Sequence, residues 1–312
     1  PQSAQSIMAA CEDPETISTY CYGRANSNSD GPTEWPLPQT GQMWLEHVLL
    51  DNPEIKGCFA VTTSYRNEPN PVPGRHETIF PMFEFESKGT MNDMLDLEMS
   101  LLEYMGFRKK HMIPRVDYEH QHQQNNTYDS IVGVEPCIHG PDMFYDNFSA
   151  RIARTITRAH GSMLYYPSGN YEDVARDLNT EEIEHEHETM LCEKEGPVFF
   201  LKNFPIYTSP FWNMKIKNNI AKKVDVILHG QETIGSAERS CCPDEMRMLF
   251  ETISDGKYAK ILYDRFGKDR INQELDEYFA KDFFPRYGGG IGVTRLIRAM
   301  KMSNLINRQA SV

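Results

Sequence analysis

No stretch of the chain approaches the eighteen or so consecutive apolar residues of a membrane-spanning helix. The N-terminal PQSAQSIMAACEDPETIS has neither the basic start nor the apolar centre of a signal peptide, so a soluble cytoplasmic protein is expected. Cysteine is sparse and irregular: seven residues, an odd number, with Cys241 and Cys242 adjacent. That pattern argues against a disulfide framework or a zinc site and for reduced thiols. Basic charge is also short, 32 Lys and Arg against 45 Asp and Glu, a net charge of −13. Phosphate backbones are held by clustered cations, so broad attraction to nucleic acid is not expected. The one short basic cluster, FRKKH at 107–111, is expected to close the C-terminal end of a helix, where cations oppose the dipole. Internal repeats and low-complexity linkers are missing. So are the G-x-G-x-x-G dinucleotide fingerprint and a Walker lysine, which weighs against nicotinamide and P-loop chemistry.

What is present is a 312-residue chain with 39% hydrophobic content, enough for a sizeable core. GPTEWPLP at 31–38 reads as a Pro-rich turn before a helix, GQMWLEHVLL, with Met43, Leu45, Val48 and Leu49 on its buried face. CFAVTTSYRNE (58–68) and IFPMFEFES (79–87) alternate like strands. They form an expected antiparallel pair joined by the loop PNPVPG, whose prolines cannot donate to a ladder, with Arg75 and His76 just after it. MNDMLDLEMSLLEYMGF, with Met94, Leu95, Leu97, Met99, Leu101 and Leu102, suits a helix packed on one side. The polar 116–128 is read as a surface excursion, and helices are expected at 147–160 and 178–195. GPVFFLKNFP and KKVDVILHG read as strands, PDEMRMLFETI as a helix opened by Pro243, and DRINQELDEYFAKDFF as another helix. Strands joined by loops rather than alternating with helices point to an α+β fold, an antiparallel sheet flanked by helices.

Arg66 and Glu68 lie two apart, hence on one strand face, at the mouth of the loop carrying Arg75 and His76. Asp225 and Glu232 stand seven apart across a Gly-Gln turn, and two carboxylates near a phosphate chain suit magnesium. Arg239 follows in IGSAERS and Arg295 in YGGGIGVTRLIRAM, where three glycines precede a helix. Each of these taken singly is better explained by a surface ion pair, a loop cap or a helix-surface charge. Together they describe a polyphosphate site with metal. The histidine-rich EHQHQ and EHEHE are read as solvated acidic surfaces rather than metal ligands.

SYRNE followed by GRHETIFPMFEFE resembles the second signature of class II aminoacyl-tRNA synthetases, and GGGIGVTRL resembles their third. PQTGQMWLE and DVILHGQETIGSAERS are similar to the aspartyl and asparaginyl branch, and the third signature is also similar to the ammonia-dependent asparagine synthetases of that fold. The resemblance spans roughly residues 35–300. It implies that Arg66 grips the α-phosphate of ATP and the reacting carboxylate, and that Glu68 fixes the adenine, with Phe80 stacked beneath and Arg295 above. It implies that Arg75 and His76 close over the outer phosphates and that Asp225 and Glu232 hold Mg2+. Glycines 288–290, with Gly292, would let backbone and nucleotide meet. Thr40, Gln42 and Arg239 would read the amino acid, Arg239 pairing a carboxylate in bidentate fashion.

The sequence also departs from the pattern. Leu45 stands where aspartyl enzymes carry a substrate-reading lysine, as in asparaginyl enzymes, and Ile79 replaces the glutamate usual before the stacking aromatic. Residues 1–312 are expected to form a single synthetase-like catalytic domain without an anticodon-binding barrel, residues 1–35 being a divergent or incomplete N-terminal part. The function this implies is adenylation of aspartate followed by attack of ammonia, giving asparagine, AMP and pyrophosphate. The alternatives are transfer of aspartate, asparagine or a relative to another amine, a protein or tRNA, and a retired amino-acid-binding regulator. Small-molecule partners and a homodimer are expected; tRNA is not.

Overall fold

The computed structural model describes residues 6–22, 33–112 and 163–306. Chain contacts divide it into two units, Pro1–Phe107 with Tyr166–Val312, and Arg108–Tyr165.

In the first unit β1 (Thr19–Tyr22) and β2 (Thr33–Pro36) form a small antiparallel ladder. The expected Pro-rich turn at 31–38 is therefore partly strand: Trp35 pairs with Tyr20, and the Arg270 guanidinium lies 3.9 Å from the Trp35 ring centre. The main sheet is built from β3 (Gly57–Tyr65), β4 (Ile79–Lys88), β7 (Ser168–Asn170), β8 (Val198–Pro205), β9 (Ile216–Lys217), β10 (Ile220–Leu228), β11 (Gln231–Glu238) and β12 (Arg286–Gly292). Its order is β3-β4-β12-β11-β10-β8-β7, with β9 beside β10. Every pairing is antiparallel except β7 with β8. The fold is thus the expected antiparallel sheet flanked by helices. The second unit contributes a two-stranded antiparallel ladder, β5 (Lys110–Met112) with β6 (Met163–Tyr165).

The helices of the first unit are α1 (Gln42–Asp51), α2 (Met91–Tyr104), α3 (Tyr171–Asp177), α4 (His185–Glu195), α5 (Pro243–Thr252), α6 (Lys257–Phe266), α7 (Lys268–Phe279) and α8 (Val293–Met302). Periodicity located most of them and most of the buried face of α1 and α2, where Met43, Leu45, Leu49, Met94, Leu95 and Leu102 are buried, and it failed at single positions. In α1 Val48 is exposed and Glu46 buried; in α2 Leu97 is exposed and Glu98 buried. Glu46 is drawn inward by Arg286 and the Tyr278 hydroxyl, a pull that hydrophobic spacing cannot register. The expected helix near 178–195 is shorter: α3 has already ended at Asp177, Asn179 takes a left-handed φ of 54°, and α4 starts only at His185. The basic cluster 107–111 does not close α2, which ends at Tyr104 before Gly106 at φ 94°, and Lys110 and His111 belong to β5. The polar stretch 116–128 and the expected helix 147–160 lie outside the described residues.

The largest apolar cluster gathers around Trp212, with Phe250, Tyr258, Leu262, Ile271, Leu275 and Tyr278 from α5, α6 and α7. Ile7 to Cys11 are buried in the same cluster, and the Glu274 carboxylate accepts from the Ile7 and Met8 amides and the Ser6 hydroxyl. The N-terminal segment is therefore part of the core. β12 is buried at all seven positions between β4 and β11 and hands the chain directly to α8, which fixes one edge of the site.

Candidate active site

A cavity of about 350 Å³ opens over β4, β11 and β12. Arg66, Glu68, Arg75, His76 and Phe80 line one side; Gly290, Gly292, Thr294, Arg295 and Arg298 line the other; Gln42 and Met82 lie on the lining, with Glu12 and Glu232 also on it. The resemblance thus points to residues 229 positions apart in sequence that meet at one place.

Arg66 and Glu68 lie just beyond β3 rather than on it, yet both reach the cavity, because the Arg66 amide donates to the Thr78 carbonyl at 2.9 Å and keeps the two strands paired one step further. The Arg66 guanidinium carbon lies 5.9 Å from the Phe80 ring centre. Its Nη2 pairs with the Glu12 carboxylate, which holds its pKa above the ordinary value. Glu12 is held by Gln39, whose Oε1 accepts from the Glu12 and Asp13 amides at 2.9 and 2.8 Å.

Arg75 donates from Nη2 to Glu188 Oε2 at 2.6 Å, and His76 accepts the Val72 amide at Nδ1. Arg295 donates from Nη1 to the Glu232 carbonyl at 2.8 Å and lies 3.5 Å from the Arg75 carbonyl. Burial lowers the Arg295 pKa, and Glu232 opposes the shift. Each of these arginines has a protein carboxylate near it, so the positive lining is balanced before any anion enters.

The three adjacent glycines serve different neighbours. A Cβ on Gly288 would overlap the Glu86 carboxyl, and one on Gly289 would come within 2.6 Å of Ser236 Cβ. Both are therefore explained by packing inside the protein and not by a ligand. Gly290 differs: it lines the cavity, and a Cβ there would press on the ends of Met82 and Gln42, at 2.7 and 3.3 Å, with Glu84 Cγ at an ordinary 3.6 Å.

Asp225 and Glu232 converge over Gly235, where a Cβ would sit 3.0 Å from Glu232 Oε1 and 3.7 Å from Asp225 Oδ1. Asp225 Oδ1 is buried with no hydrogen-bond partner among the described residues, while Lys223 holds Oδ2 at 2.6 Å. Burial raises the Asp225 pKa, with Lys223 opposing and Glu232 adding to it. An orphaned carboxylate oxygen beside a second carboxylate fits a hard divalent cation. No cluster of three metal-ligating side chains occurs among the described residues.

The expected amino-acid readers are split. Gln42 lines the cavity, but Thr40 and Arg239 do not. Thr40 donates to Glu84 at 2.6 Å, and the Gly41 amide joins it there. Arg239 is buried against Glu86, with Glu46 at 3.9 Å, and its Nη2 donates to Gln42 Oε1 at 2.8 Å. With Oε1 occupied, the Gln42 amide nitrogen faces Gly290 as a donor. Glu46 also pairs with the buried Arg286, so two glutamates and two arginines form a neutral buried quartet behind the site. Burial raises the Glu86 pKa against the pull of Arg239.

Sequence reading missed Glu12, Glu188 and Arg298. Glu12 has a local signal: Asp13 caps the Glu15 amide and Pro14 opens a single helical turn, which marks a fixed corner at Glu12. Glu188 has none, since the solvated helix expected from EHEHE turns this one residue inward.

A family model for class II tRNA synthetases (D, K and N) matches residues 19–310. No curated protein matches the chain. Among solved structures, the asparaginyl-tRNA synthetase of Pyrococcus horikoshii complexed with asparaginyl-adenylate aligns with a TM-score of 0.60 at 17% identity, over 94% of this chain and 58% of that one. The asparaginyl-tRNA synthetase of Entamoeba histolytica, also with asparaginyl-adenylate, gives 0.57 at 18%, over 92% and 56%. A putative aspartyl-tRNA synthetase from Leishmania major Friedlin gives 0.57 at 17%, over 95% and 60%. The chain spans less than two thirds of the length of each, and at these identities the likeness is one of fold. With the family model covering nearly all of the sequence and the signature residues gathered in one cavity, the chain belongs to the class II tRNA synthetases of the D, K and N group.

Proposed function

We propose that this chain activates aspartate as its adenylate with ATP and passes it to ammonia, forming asparagine, AMP and pyrophosphate. The observation that carries the reading is the single cavity in which Arg66, Arg75 and Arg295 meet Phe80 and the glycine strand, beside the Asp225 and Glu232 carboxylates. Phe80 offers an aromatic face for the base, and the arginines offer cationic donors for phosphate oxygens. Arg66 would stabilise the charge that grows on the α-phosphorus as the aspartate carboxylate attacks it. Arg75, His76 and Arg295 would hold the departing pyrophosphate. Asp225 and Glu232 would hold Mg2+, which supplies charge screening for the phosphates. A carboxylate is a nucleophile at neutral pH without a base, so orientation does most of the work. The Gln42 amide, pinned by Arg239, would donate to the amino acid, and Glu12 would accept from its ammonium group. Ammonia would then attack the acyl carbon; the C–O bond to AMP breaks with its electrons going to the phosphate oxygen, and the new C–N nitrogen gives up one proton to solvent to leave the neutral amide. Two copies of the chain are proposed as the working form, in keeping with the exposed apolar Phe59, Val61 and Ile79 on the edge pair of the sheet.

The test is asparagine formed from aspartate, ammonium and Mg-ATP, with stoichiometric AMP. ADP as the sole nucleotide product, or no amide from any dicarboxylate, overturns it. Likeness to enzymes holding asparaginyl-adenylate favours a second reading, transfer of the activated acid to tRNA. The net charge of −13 counts against it. Amino-acid-dependent pyrophosphate exchange followed by trials of ammonium and of tRNA separates the two.

A further inference from the structure

Arg75 and Glu232 are joined twice. On the side-chain route, Glu188 Oε2 accepts from Arg75 Nη2 at 2.6 Å and from the Glu232 amide at 2.9 Å. On the other, Arg295 donates to the Glu232 carbonyl at 2.8 Å and approaches the Arg75 carbonyl at 3.5 Å. The two routes close a ring that holds the loop between β3 and β4 onto β11. Glu188 is well placed to carry it. Its helix, α4, is seated by buried Leu191 and by Gly230, where a Cβ would come within 2.9 Å of Thr189 Cα. The Arg75 and Glu188 side chains are only 17% and 13% exposed, so water competes poorly for the pair. Arg75 spends one Nη on Glu188. A guanidinium carries five N–H groups, so the others stay available toward the cavity that Arg75 lines.

We propose that Glu188 is a positioning residue: it anchors one edge of the Arg75 guanidinium and so presents the other edge to the outer phosphates of a nucleoside triphosphate. The inference rests on the reading of Arg75 as a phosphate ligand given above. A loop ordered in advance loses less freedom when the ligand arrives, so removing the anchor weakens nucleotide binding and leaves the chemical step alone.

Two measurements on the full chain test it. The first needs no nucleotide: tryptic cutting of the Arg75–His76 bond, followed by mass spectrometry. Glu188→Ala is expected to be cut about ten times faster than the unaltered chain, and Glu188→Gln, whose amide oxygen still accepts from both donors, at an intermediate rate. Should Glu188→Ala fold poorly, Glu188→Gln alone carries the comparison. The second is pyrophosphate exchange. KM for ATP is expected to rise about tenfold in Glu188→Ala with kcat within about twofold, and this effect is expected to vanish in an Arg75→Ala background. Unchanged cutting of Arg75–His76, or a KM effect of the same size with and without Arg75, overturns the proposal. Faster cutting in a chain that ATP does not saturate overturns the nucleotide reading alone and supports the anchoring of Arg75 by Glu188.

Discussion

Arg66 is paired with Glu12 near the solvent, at side-chain exposures of 29% and 38%, so its removal tests chemistry with little effect on folding. Arg66→Ala is expected to lower amino-acid-dependent pyrophosphate exchange by about 1,000-fold, the scale of an arginine acting on a transferring phosphoryl group. The same variant should unfold within about 1 kcal/mol of the unaltered protein. Exchange near the original rate would remove Arg66 from the role assigned to it. The glycine run supports a paired experiment. Gly288→Ala forces a methyl into the Glu86 carboxyl, inside the buried quartet, and is expected to cost about 3 kcal/mol in urea unfolding. Gly290→Ala presses mainly on the flexible end of Met82 at 2.7 Å and is expected to spare stability while raising KM for ATP or the amino acid. Equal effects from the two substitutions would contradict this division between packing and binding.

At the scale of elements, the site depends on how closely α4 and the turn from β10 to β11 approach each other. Gly230 sits at φ 75° in that turn with Thr189 against it. Gly230→Ala adds both a left-handed residue and a contact of 2.9 Å, and is expected to cost about 2 kcal/mol. Because α4 carries Glu188, the substitution should also speed tryptic cutting after Arg75, acting through Thr189 beside it. A stability loss without faster cutting would mean that α4 moves as a body without disturbing the ring. The central place of β12 has the same logic. A strand buried at every position can lie between β4 and β11 with a carboxyl over it only where side chains are missing, and Gly288 supplies that gap.

For the whole molecule, buried carboxyls set the dependence of stability on pH. Glu98 of α2 is fully buried, and neither oxygen has a hydrogen-bond partner among the described residues. Burial, opposed by the nearby Ser236 hydroxyl and aided by the Asp225 charge, pushes its pKa up to about 8 from an ordinary value of 4.5. Between these values the folded chain holds a proton that the unfolded chain has released, so stability falls as pH rises through the window. Glu86 and Asp225 are raised as well and act in the same sense. Glu46, lowered despite its burial by Arg286 and Arg239, acts oppositely, and its contribution is lost in acid. Glu98→Gln is expected to raise the unfolding temperature at pH 8.5 more than at pH 5 and to flatten the fall between them, by at most about 1.4 kcal/mol per pH unit. An equal change at both pH values would mean that Glu98 ionises as readily in the folded chain as in the unfolded one.

Local pattern in the sequence was enough to place the antiparallel pair β3 and β4, the helices opening at Gln42 and Pro243, and the glycine strand leading into a helix with Arg295 in its first turn. It also contained the signature residues Arg66, Phe80 and Arg295, since backbone preference and residue type are written along the chain itself. Hydrophobic spacing also marked most of the buried face of α1 and α2, but tertiary structure placed Glu46 and Glu98 on it against their own polarity, Glu46 drawn by charges far away in sequence. Tertiary structure likewise put Arg239 behind Gln42, separated Gly288 from Gly290, and brought Glu12 and Glu188 to Arg66 and Arg75. An ion pair depends on distance in space, and Arg75 and Glu188, 113 positions apart, become neighbours only when the sheet and α4 have packed.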